Sequence, residues 1–342
     1  MPRTPLPPLA ELLDRARVVT LPLASRFRGI DVREAMLLRG PEGWSEFSPF
    51  VEYQDAEASA WLAAAIDFGW STQAQALRAS IPVNATLPAL APQHVATMLD
   101  RFPGCRTIKV KVAERGQTLT DDVARVDAAR AYIGARGRLR VDANGGWSVM
   151  EAHEAILALQ PFGLEYVEQP CATVAELSEL RSKLAGEGVL IAADESVRKA
   201  SDPLAVARAG AADLIVIKAQ PLGGIRSAMT IVAGAGLPAI VSSALDTSVG
   251  ISMGAHLAAL LPKLDFDCGL GTAALLAADV TAEPLLPVAG EIPVRRVQVS
   301  DALLEQHAAD AERTLWWQQR LERCYAQLAE KPADIGRGYS PE

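Results

Sequence analysis

Short apolar or β-branched runs recur through the middle of the chain, and each is followed by a stretch whose apolar residues repeat at helical spacing. The runs are Ile81–Thr86, Thr107–Val112, Arg138–Asp142, Leu164–Glu168, Leu190–Asp194, Asp213–Lys218, Ala239–Ser243 and Leu264–Cys268. Between them, Asp121–Ile133, Val149–Leu159, Val174–Leu184 and Leu204–Ala209 read as amphipathic helices. Strands alternating with helices predict right-handed βαβ units and a parallel sheet. Eight such strands are expected to close into a (β/α) barrel. A doubly wound dinucleotide fold is disfavoured, because no G-x-G-x-x-G follows the first strands.

Two pieces lie outside this rhythm. Near the start, Ile30–Arg39 and Gly43–Pro49 alternate like strands and a helix is predicted from about Ala56. After Ala289 a strand, Ile292–Val299, leads into a helix near Ala302–Ala329. Residues 1–80 and 290–342 are expected to form one α+β domain capping a barrel of residues 81–289.

Composition narrows the class. The chain has 342 residues, 50% of them hydrophobic and 22% charged, enough for a large core in about two domains. A net charge of −8 argues against a phosphate-backbone footprint, so DNA and RNA are set aside as partners. The longest apolar runs, such as Ala60–Ile66, fall far short of the ~20 residues of a membrane span. The start, MPRTPLPPLAELLDRAR, lacks the apolar core of a signal peptide, so a cytoplasmic protein is expected, monomeric or a small homo-oligomer. Cys105, Cys171, Cys268 and Cys324 are far apart with no C-x-x-C, which predicts buried free thiols.

The chemistry lies at the strand ends. Lys111, Asp142, Glu168, Asp194, Lys218 and Ser243 follow one another at spacings of 31, 26, 26, 24 and 25, one βα unit each time. That cadence places them together at the C-terminal mouth of a barrel, where active sites of this architecture lie. Three converging carboxylates would repel one another severely, and a cation resolves this; an all-oxygen set suits Mg²⁺, with Mn²⁺ as a substitute. Lys109 and Lys111 share a strand face about 6.6 Å apart at ~3.3 Å per residue, and are expected to depress each other's pKa. Together these parts describe removal of a proton beside a carboxylate, the resulting enediolate being held by the metal and a lysine ammonium. A small-molecule carboxylate is the expected substrate. Ser242 and Ser243, with Gly250 opening the next helix, are candidates to hold it. Arg140, two residues before Asp142, is a candidate to reach the substrate or the acids, and Arg26–Gly29 and Phe47–Phe50 are candidate lid loops. The histidines, His94, His153, His256 and His307, all miss the seventh strand, which excludes a histidine base there.

The motifs TIKVKV, RVDANGGW, EYVEQP, IAADES and LIVIKAQPLGG, in this order and spacing, resemble the enolase superfamily, specifically its muconate-lactonizing subgroup. The resemblance covers nearly the whole chain and implies a (β/α)7β TIM-like barrel with its α+β cap. It implies Asp142, Glu168 and Asp194 as Mg²⁺ ligands, Lys111 as the acid/base and Lys218 as the opposing lysine, with Lys109 beside the substrate. Asn144 and Glu195 are placed behind the ligands, Glu195 pointing away in an extended strand.

Within the subgroup, SRFRGIDVRE, GWSEFSPFVEY, PVNAT, VEQPCATV, VSSALDTSVG and CGLGT are most similar to the o-succinylbenzoate synthase family of actinobacterial type. That family is implied to dehydrate 2-succinyl-6-hydroxy-2,4-cyclohexadiene-1-carboxylate on the menaquinone pathway. The alternative is an N-acylamino acid racemase or dipeptide epimerase, in which the two lysines act as opposed bases. Asp265 and Asp267 form a D-x-D resembling one that dipeptide epimerases use to hold a substrate amine, and Asp246 stands where family members often carry Glu.

Overall fold

The computed structural model describes residues 6–199 and 202–330. Its strands are β1 (Ala16–Phe27), β2 (Ile30–Gly40), β3 (Gly43–Phe47), β4 (Ser80–Pro82), β5 (Ala85–Leu87), β6 (Thr107–Lys111), β7 (Arg138–Asp142), β8 (Leu164–Glu168), β9 (Leu190–Ala193), β10 (Leu214–Ile217), β11 (Ala239–Val241) and β12 (Glu291–Pro293). Strands β5 to β11 form one seven-stranded sheet in chain order, every pairing parallel. The first expected strand is divided: β4 pairs antiparallel with β12, and only β5 joins the parallel sheet. The eighth expected strand is reduced to two bridging residues. Cys268 exchanges hydrogen bonds with Pro82 and Asn84, and Gly269 with Val241 and Ser243, so this segment lies between the two sheet edges.

Consecutive βα units share a local device. The helices Leu119–Ile133, Val149–Leu159 and Val174–Lys183 each open with a capping box, Thr118 with Asp121, Ser148 with Glu151 and Thr173 with Glu176. Each box satisfies otherwise unpaired N–H groups where a strand-end loop must turn into a helix, which fixes the loop that carries the functional side chain.

The cap is the antiparallel sheet β1–β2–β3, the helix Asp55–Trp70 and the C-terminal helix Ala311–Glu330. The sequence pattern missed the twelve-residue strand β1, whose alternation Pro22 interrupts. The expected tail helix is two, Asp301–Gln306 and Ala311–Glu330. Trp61, Phe47 and Trp317 are fully buried, the last two meeting edge to face at 5.8 Å. Arg320, also buried, donates to the carbonyls of Phe50 and Tyr53 and ties the tail to the loop above the barrel. A small cluster of Tyr166, Ala192, Leu214, Val216 and Ile240 with Phe266 packs apart from the main core. No helix among the described residues is long and apolar enough to cross a membrane, and the four cysteines are unpaired.

Candidate active site

The parallel register sets the functional side chains level. Lys111 stands opposite Asp142, Asp142 opposite Glu168, and Glu168 opposite Ala192, with Asp194 just beyond the end of β9. All three acids are buried, and each is clasped by a lysine. Lys109 Nζ donates to both oxygens of Glu168 at 2.8 and 2.9 Å, Lys111 Nζ to Asp142 Oδ2 at 2.5 Å, and Lys218 Nζ to Asp194 Oδ2 at 2.6 Å. A cleft opens onto this set, and Ser242, Ser243, Thr86 and Thr272 line it together with Phe27 and Arg28 of the cap.

Burial penalises the ionised form of every acid here, and the lysines decide where charge settles. Glu168 is pushed up to about 7, first by burial and then by Asp142, in spite of Lys109. At Asp194 the same burial is outweighed by Lys218 and Arg198, which hold it at about 2. Asp142 lies well below the usual carboxylate range because Lys111 and Lys109 overcome its burial. Burial lowers the Lys218 ammonium, with Asp194 opposing. Lys109 moves the other way: burial lowers it, but Glu168 and Asp142 together raise it above its ordinary value. The expected depression therefore fails at Lys109, since two carboxylates at hydrogen-bond or ion-pair distance outweigh one neighbouring ammonium.

The donor chemistry fits a hard divalent cation: three carboxylates, oxygen only, on adjacent strand ends, with Glu168 left short of positive charge. As the side chains stand, no three metal-binding groups among the described residues form a ready cage, because ammonium groups clasp the acids.

Behind the acids stand residues the sequence reading missed. Gln169 accepts from the backbone N–H groups of Asp194 and Ser196 and donates to Ser196 Oγ and the Cys171 carbonyl. Arg198 donates to Asp194 Oδ1 at 3.0 Å, to Glu195 Oε1 at 2.8 Å and to the hydroxyl of Tyr53 in the cap. The only signal for them was adjacency to Glu168 and Asp194. Asn144 stands beside Asp142, whose Oδ1 accepts from its backbone N–H, while its side chain accepts from Lys111 Nζ at 2.7 Å and donates to Glu195 Oε1 at 3.2 Å. Glu195 corrects the extended-strand expectation: the chain turns at Asp194 and Glu195 begins the helix Glu195–Arg198, which brings its carboxylate back toward Asn144.

The substrate-side expectations divide. Ser242 and Ser243 line the cleft, and Ser243 Oγ donates to the Gly269 carbonyl at 2.9 Å. Arg140 is not at the cleft. Its guanidinium donates to Glu165 at 2.5 Å and to the Asp267 carbonyl at 2.6 Å and lies over the Tyr166 ring, toward the strand starts. Asp267 is at that same end, accepting from Thr107 and Arg138, so it cannot hold a substrate amine at the mouth. The N-terminus of the helix Ser248–Leu260 is also taken: Glu46 of the cap accepts from the N–H groups of Thr247 and Gly250 at 3.2 and 3.0 Å. Of the lid candidates, Phe27 and Arg28 reach the cleft, and the Arg28 guanidinium covers the Phe50 ring at 4.4 Å.

Comparison with known proteins agrees with this geometry. Residues 58–298 match the enolase C-terminal domain-like family and residues 18–69 the enolase N-terminal domain-like family. The chain belongs to the enolase superfamily. Among curated members it is 52% identical to an o-succinylbenzoate synthase of Mycobacterium ulcerans (strain Agy99), over 95% of this chain and 98% of that one. It is 53% identical to the o-succinylbenzoate synthase of Mycobacterium tuberculosis (strain ATCC 25618 / H37Rv), over 94% and 97%. Solved enolase-superfamily folds superpose at lower identity. Muconate lactonizing enzyme from Pseudomonas fluorescens matches with a TM-score of 0.72 at 21% identity, covering 86% of this chain and 98% of that one. The L-Ala-D/L-Glu epimerase from Bacillus subtilis matches with a TM-score of 0.71 at 23%, covering 83% and 96%.

Proposed function

We propose that this chain is an o-succinylbenzoate synthase, a lyase that dehydrates 2-succinyl-6-hydroxy-2,4-cyclohexadiene-1-carboxylate to o-succinylbenzoate in menaquinone biosynthesis. The observation that carries this reading is the 52–53% identity to enzymes of that name over 94–95% of the chain. The barrel is assigned to residues 81–289, closing as (β/α)7β through Cys268 and Gly269, and the cap to residues 1–80 and 290–342, of which 1–5 and 331–342 lie outside the described residues.

Asp142, Glu168 and Asp194 are assigned to hold Mg²⁺, which when bound supplies positive charge beside the substrate's ring carboxylate and so acidifies the adjacent C–H. Lys111 takes that proton. The negative charge left on the substrate is matched by the Lys218 ammonium, held in place by Asp194 at 2.6 Å. Lys111, now protonated, gives its proton to the departing hydroxyl. One C–H and one C–O bond break, a ring C=C bond forms, and water leaves as the ring becomes aromatic. Ser242, Ser243 and Arg28, which has no carboxylate partner among the described residues, are assigned to the succinyl carboxylate.

A racemase or epimerase would use the same two lysines as opposed bases, but the D-x-D that favoured it faces the other end of the sheet. The test is loss of diene absorbance with the cyclohexadiene carboxylate, with Mg²⁺ and with a chelator, beside deuterium exchange on N-succinyl amino acids. Fast, chelator-sensitive dehydration is the expected result. α-Exchange without dehydration overturns the synthase reading in favour of the racemase.

A further inference from the structure

A second buried charge cluster lies between cap and barrel, and the chemistry above makes no use of it. Glu46 at the end of β3, Asp246 after β11 and Arg33 of β2 are all buried. Glu46 Oε2 and the side chains of Asp246 and Gln220 converge on one point, where Gly250 lacks a Cβ: 2.9 Å from Glu46 Oε2, 2.7 Å from the Asp246 Cβ and 2.7 Å from Gln220 Nε2. Glu46 accepts from Ser48 Oγ at 2.6 Å and Thr247 Oγ1 at 2.5 Å, besides the two helix N–H groups. Arg33 donates to the carbonyls of Leu245 at 2.9 Å and Ala244 at 3.4 Å, and to Ser48.

This network sews the cap to the segment 244–250, whose residues Ala244 and Leu245 line the cleft. Leu245 sits there with φ +63, a conformation that a bulky residue adopts only when its surroundings hold it. The charge count is uneven. One guanidinium faces two carboxylates, and Asp246 Oδ1 is buried without a hydrogen-bond partner while the Gln220 amide meets the same side chain. A proton on one carboxylate makes the cluster neutral and turns an acceptor into a donor, which is what an unpartnered buried acceptor beside a second carboxylate calls for.

We propose that Glu46 and Asp246 share one proton and, with Arg33, form a latch that positions segment 244–250 for substrate, so that losing this proton weakens binding rather than chemistry. Burial first, then mutual repulsion, pushes Glu46 up to about 7, and burial raises Asp246 as well. The charged groups facing the pair are Arg33 of β2, with Arg28 and Tyr53 of the cap acting on Arg33, and Lys218 just after β10, which acts on Asp246. Because the folded pair is a weaker acid than in the unfolded chain, its stabilising effect is full below about pH 4.5 and is lost as pH rises from there to about 7.

The inference rests on the synthase reading for its kinetic arm but not for its stability arm. In the wild type, KM is expected to rise by about tenfold per pH unit above neutrality with kcat unchanged, as binding follows the protonated fraction. The melting temperature should fall between about pH 4.5 and 7 and level off above. Glu46→Gln and Asp246→Asn each mimic the shared proton, so each flattens both profiles. The double variant leaves Arg33 without a counter-charge and melts lower than the two single effects together. Single variants that keep the wild-type pH profile of the melting temperature, or a double variant that is merely additive, overturn the proposal even if the substrate assignment fails.

Discussion

The mouth and the floor of the parallel sheet both bury several charges, yet they handle them in opposite ways. At the floor Arg140 is fixed by Glu165 and the Asp267 carbonyl and flanked by Tyr166 at 4.8 Å and Phe266 at 5.8 Å. Arg138 and Thr107 complete Asp267 at 2.6 Å each. Planar guanidinium groups, carboxylates and rings pair off there, with Arg140 Nη2 buried but without a hydrogen-bond partner. At the mouth the acids stand on neighbouring strands at one level, so they compete for compact ammonium groups, and Glu168 remains near 7. The backbone repeats the contrast. Among the described non-glycine residues, Arg28, Ala113, Asn144, Gln169 and Leu245 adopt positive φ in the turns of the mouth, and Ala289 is the exception. The floor spends its charges on holding the fold, whereas the mouth keeps charge and strain available for a substrate.

Substitution should separate the two ends by what it damages. Lys111→Ala should lower kcat by about 10²–10⁴-fold while leaving the melting temperature near wild type, the usual weight of a positioned acid/base; diene-absorbance kinetics and a thermal melt check both halves. Arg140→Met should do the reverse, costing about 3 kcal/mol in a denaturant titration because Glu165 loses its buried partner, with kcat per folded molecule retained. A large loss of kcat in Arg140→Met at temperatures where it is folded would erase the distinction. Asp194→Asn should weaken Mg²⁺ binding by about tenfold or more in calorimetry without substrate, since Lys218 and Arg198 then face a neutral amide. Tyr166→Phe sharpens the comparison most finely: its hydroxyl meets Glu168 at 3.5 Å while its ring carries Arg140, so the variant should lose no more than about 1 kcal/mol and little activity.

Much of the mouth was legible because it depends on local rules. Lys111, Asp142 and Glu168 share one level since each closes a five-residue strand in a repeating unit, and Lys218 and Ser243 follow just past the ends of β10 and β11. The misreadings arose where a rule was carried one step too far. Alternation gave Arg140 the correct face but not its partner, which is Glu165 rather than a substrate. Extending β9 by one residue turned Glu195 outward, whereas the chain bends at Asp194 with ψ −73. The D-x-D of Asp265 and Asp267 falls inside the expected strand Leu264–Cys268, but the segment bridges the sheet at Cys268 and Gly269, which leaves Asp267 at the floor.

The sequence by itself determined the βα rhythm, the cap made from both ends of the chain, and the row of lysines and acids, because each depends on residues within one or two turns or strands. Only the tertiary structure decided which charges meet. Arg33 reaches Leu245 across 212 positions and Glu46 reaches Thr247 across 201, filling a helix N-terminus that local reasoning had left open for substrate. The same holds for Lys109, raised rather than lowered by the two carboxylates it meets. Charge and hydrogen bonding act through space, so their balance is set by which distant strands the fold places side by side, a quantity that no local pattern contains.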